Sequence, residues 1–145
     1  MAKLLLSLHV LAAILAIGPV AVAASIFPRH ARQPEPGAGA ALLHRICRGY
    51  ALFGIAVPVF GLATGAQLGV LTDAWLIVSI VLTAIAAAVL ALAILPGQAR
   101  VLAAAGGEVV PGAAARLAML TGVFNLLWAI VVVLMIVRPG STTGA

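Results

Sequence analysis

Four stretches of this sequence run for more than twenty residues without a formal charge, and they limit the possible folds more than any other feature. They are residues 4–27, 49–70, 74–95 and 117–137. The hydrocarbon core of a bilayer is about 30 Å thick, and a helix crosses it with about 20 apolar residues. Each stretch is therefore long enough to span. None shows the apolar-polar alternation of a barrel strand, and an exposed backbone in lipid must satisfy its own hydrogen bonds, so the spans are read as helices. The fold expected is all-α, an integral membrane four-helix bundle occupying residues 1–145 as a single domain. Composition agrees. Apolar residues make up 65% of the chain and charged residues 8%, against roughly 45–50% and about 25% in soluble domains. An ordinary soluble enzyme and a disordered chain are excluded. So is a nucleic-acid-binding domain, although eight Lys+Arg against three Asp+Glu leave a net charge of +5. The basic residues flank the apolar runs, where they orient helices and meet lipid headgroups.

The segments between the runs read as loops. Residues 29–39 are polar with Pro and Gly, and a helical extension of the second span begins near Ala40. Residues 69–73 form a tight turn that makes the second and third spans an antiparallel hairpin. Residues 96–111, with the Gly106-Gly107-Glu108 cluster, form the longest loop, and residues 139–145 a short tail. Phe27-Pro28-Arg29-His30-Ala31-Arg32 echoes Leu95-Pro96-Gly97-Gln98-Ala99-Arg100, which suggests two tandem helical hairpins. Lys3 and Ala21-Val22-Ala23 resemble parts of a signal peptide. Arg29 and Arg32 beyond the run oppose translocation, so an uncleaved first span is expected. Arg29, Arg32, Arg45, Arg48, Arg100 and Arg116 fall on one side, and Lys3 and Arg138 on the other. This bias places the first and third loops in the cytoplasm and both termini outside. Arg in place of Lys, with abundant Ala and Gly, suggests a GC-rich bacterial genome and hence the bacterial inner membrane.

No Asp, Glu, Lys or Arg lies deep in a span, which argues against an ion pump, a proton relay or a voltage sensor. Counting depth at about 1.5 Å per residue puts His9, Thr64, Gly65 and Ser79 in one outer layer, with Met135 a turn further out. One reading is a cofactor site lined by His9, Ser79 and Met135, with His9 ligating haem b or a metal. The other is a neutral histidine hydrogen-bonded for structure. Asn125 is near mid-membrane and level with Leu15, whose carbonyl Pro19 leaves without a donor, so their pairing is expected. Pro58 likewise frees the Gly54 carbonyl and predicts a kink. Gly61, Gly65 and Gly69 form a small-residue row for close helix packing, within the chain or in a homo-oligomer, and Ala12, Ala16, Val20 and Ala23 form a comparable stripe. Arg29, Arg32, Arg45 and Arg48, with His44 beside them, are candidates for binding anionic lipid headgroups. Cys47 is the single cysteine, so no intramolecular disulfide exists.

Several of these residues carry a resemblance. Leu8-His9-Val10-Leu11, then Gly18 and Phe27-Pro28-Arg29, look like the opening of small four-span bacterial proteins that include a predicted integral membrane family of unknown function. That group is similar to HemJ-type protoporphyrinogen oxidases and CopD-type copper-resistance membrane domains. Pro58, Gly65, Trp75-Leu76, Phe124-Asn125 and Val137-Arg138-Pro139 extend the likeness thinly over most of the chain. The resemblance implies a four-span fold with His9 as the haem-ligating candidate. The sequence departs from the HemJ pattern at Ser79, where a lysine is expected, at Leu126, where an acid is expected, and at Ala86-Ala87-Ala88, where histidines are expected. An uncharacterised, non-enzymatic membrane protein that packs with or assists partners is thus the preferred reading. A haem- or metal-binding redox protein using His9 is the alternative.

Overall fold

The computed structural model describes residues 1–34, 37–104 and 111–141. The fold is all-α, and four helical lengths are long and apolar enough to cross a membrane. The first is α1, Ala2–Ala31. The second is α2, Gly37–Phe53, continued by α3, Ala56–Leu68. The third joins α4, Ala74–Val89, through a π-helical turn at Leu90–Ile94 to α5, Leu95–Ala103. The fourth is α6, Ala113–Val137. The Gly106-Gly107-Glu108 cluster lies outside the described residues.

Two of the segments read as loops are partly helical. First, α1 and α2 extend into the segment read as a loop, to Ala31 and from Gly37. Pro28 does not end α1, although it cannot donate a hydrogen bond. Second, the helix that begins at Ala74 does not stop at Pro96 but runs on to Ala103. The cause is the π turn. Leu95 N–H bonds back five residues to the Leu90 carbonyl, and the wider turn absorbs the register change around a residue with no N–H. The kink expected from Pro58 appears as a break at residues 54–55. There the Val57 N–H takes the Gly54 carbonyl that Pro58 cannot reach, at 3.1 Å.

Helix α1 packs along both α2 and α3 and also touches α6, α4 packs on α6, and α5 meets α2. The core is built of small residues. Ala16, Val20, Ala23 and Ala24 of α1 are buried, as are Ala40 and Cys47 of α2 and Ala86 of α4. Large apolar side chains point outward, among them Ile14, Leu52, Phe53, Leu92, Leu126 and Ile136. Lipid is as apolar as leucine, so burying leucine between helices gains little, whereas small side chains allow close packing. Larger side chains join them, Phe27, Phe124 and Ile94 fully buried and Trp75, Leu76, Leu90 and Leu117 nearly so. Phe124 meets Trp128 edge-on, with ring centroids 6.3 Å apart.

The turn at residues 69–73 ends α3 on Gly69, whose φ of +68° is the left-handed conformation that glycine adopts without strain. A Cβ there would touch nothing, so Gly69 shapes the turn and does not extend the packing row. Val70, Trp75 and Leu76 form a small cluster beside this turn, with Met135 of α6 packed on it.

Candidate functional site

His9 lies on the α1 face turned to α3. Its Nδ1–H donates to the Val57 carbonyl at 2.8 Å, since a carbonyl only accepts. The ring rests on Gly61, where a Cβ would come within 2.9 Å of the imidazole Cε1. Gly61 thus makes room for His9. The contact lies about a helical turn nearer the α2 end of this span than the Gly65 level expected from depth counting. Gly65 has different neighbours, the side chains of Leu71 and Leu76, each 3.0 Å from where its Cβ would stand.

Ser79 is fully buried and donates to the Trp75 carbonyl of its own helix at 2.8 Å. Thr64 does the same with Phe60 at 2.7 Å. Met135 packs on the cluster of Val70, Trp75 and Leu76. The expected layer therefore separates into distinct settings. Among the described residues, no hydrogen bond or apolar cluster joins His9 to Ser79 or Met135, and no group of three or more His, Cys, Asp or Glu is placed to hold a metal ion.

Trp75 ties the ends of α4 and α6 together. Its indole N–H donates to Asp73 Oδ2 at 3.0 Å. The Arg138 guanidinium lies 5.6 Å from its ring centre, within reach of a cation–π attraction. Arg138 in turn donates to the Met135 carbonyl at 3.3 Å.

Asn125 does not reach Leu15. Its amide donates to Ser25 Oγ at 3.1 Å, and Ser25 donates onward to the Ala21 carbonyl at 2.6 Å. The packing of α6 on α1 sets this register, with Thr121 Oγ1 also facing the Ala24 carbonyl at 3.4 Å. Both contacts lie more than two turns along α1 from Leu15. Asn125 Oδ1 and Trp128 Nε1 are buried without a partner among the described residues.

Sequence reasoning missed a polar chain between α2 and α5. His44 Nδ1–H donates to Gln98 Oε1 at 2.9 Å. Gln98 Nε2 points to Cys47 Sγ at 3.7 Å, a weak contact. Gln98 is 1% exposed and Cys47 fully buried. His44 therefore turns toward α5 rather than joining its arginine neighbours. The signal was Gln98 itself, a polar residue two positions after Pro96, where proline is favoured in a first helical turn. Reading the segment as loop hid it. Arg29, Arg32, Arg45 and Arg48 are exposed, and none forms an ion pair or hydrogen bond with the described residues.

A family model described as predicted integral membrane protein (DUF2269) matches residues 3–139, and the chain belongs to that family. No curated protein and no solved structure matches the chain.

Proposed function

We propose that this member of the DUF2269 family is a non-enzymatic protein of the bacterial cytoplasmic membrane, acting through helix packing and the binding of lipid or a membrane partner. One observation carries the reading. His9, the histidine expected to serve as a ligand, donates to a backbone carbonyl of α3 and sits in the space left by Gly61. Ser79, Thr64 and Asn125 are likewise engaged in hydrogen bonds within the chain. The polar groups inside the spans thus act as interhelical and local ties. The arginine bias orients the chain with both termini outside and puts Arg29, Arg32, Arg45 and Arg48 at the cytoplasmic headgroups. The other surfaces are open to a second copy or another membrane protein.

A second reading, a haem-binding redox protein, is favoured by one feature. The Nδ1–H bond leaves Nε2 as the unprotonated nitrogen, the arrangement a ligating histidine has. An absorption spectrum of detergent-purified protein separates the two readings. The expected result is no Soret band, including after incubation with haem. A Soret band that disappears in His9→Ala would overturn the non-enzymatic reading.

A further inference from the structure

A groove of about 740 Å³ runs along the outside of the bundle where α1 meets α2. Leu15 and Pro19 line it from α1, and Arg45, Gly49, Tyr50 and Phe53 from α2. Two compact residues open it. Pro19 presents only its ring, and the space over Gly49 is empty, since a Cβ there would meet nothing within 4 Å. From Arg45 to Phe53 is eight residues, about 12 Å along the helix. That is most of the depth of one leaflet, roughly half of a 30 Å hydrocarbon core. The groove is largely apolar, with Arg45 its one cation and Leu42 a turn beyond Arg45 toward the start of α2.

The cation has no counterpart among the described residues. Arg45 is exposed and forms no ion pair or hydrogen bond with the described residues. Asp73, the one carboxylate side chain among those residues, lies beyond the far end of α3. Side chains on a helix lean toward its N-terminus. Arg45 and the Tyr50 phenol, both on α2, therefore lean toward the α1–α2 connection, where headgroups lie, while Phe53 and Leu15 remain in the hydrocarbon. We propose that this groove is a binding site for one anionic phospholipid, with an acyl chain along Pro19 and Gly49 and its phosphate on Arg45. A guanidinium binds phosphate through paired N–H donors, and the open groove holds the chain that distinguishes a lipid from free phosphate. A second copy fits less well. A two-fold contact through this face would bring two unpartnered Arg45 side chains together with no described carboxylate between them.

The test is native mass spectrometry of full-length protein released from nanodiscs of phosphatidylcholine and phosphatidylglycerol with matched chains. The expected result is one phosphatidylglycerol retained per chain in preference to phosphatidylcholine. Arg45→Gln should lower that retention about tenfold. Gly49→Leu projects into the groove from a position where a Cβ meets nothing within 4 Å, and should lower it as well. Arg100→Gln, an exposed cation outside the groove, should leave it intact, and soluble glycerol phosphate should not displace the lipid. Equal retention of both lipids by the wild-type chain overturns the proposal and depends on no variant. Displacement by glycerol phosphate overturns it in favour of a headgroup-only contact. A dimer abolished by Gly49→Leu overturns it in favour of a second copy.

Discussion

Gly61→Ala tests the close fit between His9 and α3. The added methyl would stand 2.9 Å from His9 Cε1 and 3.0 Å from Nδ1. Carbon atoms pack best at about 3.5–4.0 Å, so the ring must retreat by roughly 0.6–1.1 Å by the same measure. The Nδ1–Val57 bond, now 2.8 Å, would then lengthen beyond the ordinary 2.7–3.2 Å range. Overpacking typically costs 1–3 kcal/mol, and a lost interhelical hydrogen bond averages about 0.6 kcal/mol. Replacing glycine in a helix recovers up to about 1 kcal/mol. The net expectation is a loss of about 1–2 kcal/mol from these terms. Gly122→Ala is the control, because a Cβ at Gly122 meets nothing within 4 Å, and it should be neutral or stabilising. The assay is unfolding by detergent titration, followed by helical circular dichroism, on both variants, on His9→Ala and on the double variant. Removing the imidazole should remove the clash but keep the helix gain, so the His9–Gly61 cycle should show about 2–3 kcal/mol of coupling, against about 0.3–0.5 for independent sites. Additive effects, or Gly61→Ala as stable as Gly122→Ala, would refute the close approach.

Gly65→Leu should lose more than about 2 kcal/mol by overpacking against Leu71 and Leu76, whereas Ala87→Leu on an exposed face should change stability little; equal thermal shifts in detergent would mean that the Gly65 contacts are wrong. Asn125→Leu removes the bond to Ser25 but also a buried unpartnered carbonyl oxygen, so the two effects oppose and the change should stay within about 1 kcal/mol. A loss above about 2 kcal/mol would show that Asn125 Oδ1 has a hydrogen-bond donor in the folded protein. On a Cys47→Ser background, an impermeant thiol reagent applied to whole cells should label Thr143→Cys and spare Gln33→Cys, and the reverse pattern would invert the proposed orientation.

The spans were legible because lipid acts on a whole run of residues. Twenty uncharged apolar residues need no partner to be identified, so the spans beginning near Leu4, Ala74 and Leu117 could be located without knowing what any of them touches. The small-residue stripe of Ala16, Val20 and Ala23 could be read for a similar reason, since close packing leaves a pattern on one helix alone. Proline was the misleading signal. At Pro58 it accompanied a break, but at Pro28 and Pro96 the helix continued. Proline removes one hydrogen bond, and the energetic consequence depends on whether the neighbouring turns can adapt. Around Pro96 they do so through a π turn, and around Pro58 through Val57. In hydrocarbon, a helix that ended at proline would also expose its last carbonyls, so adaptation is favoured over termination.

The partners of the polar side chains were less legible, and the reason is geometric. A depth count gives one coordinate, height in the membrane, with an error of about a turn or 5.4 Å. A hydrogen bond also depends on the rotation of two helices and on which helices are neighbours. His9 and Ser79 have similar heights, but α1 packs along α3 while Ser79 bonds within α4. Asn125 was expected at Leu15 because proline had freed an acceptor there, yet the α6–α1 register brings Ser25 to it instead. Glycine supplied the missing rotational information in one place. Gly61 marks the face of α3 that His9 approaches. A polar residue on one span and a glycine at comparable height on another therefore form a more specific pair than two polar residues at that height, because only the glycine indicates which face is in contact. The same logic distinguishes Gly49. It also lacks a side chain, but no protein atom occupies the space it leaves, and in a bilayer that space is open to lipid.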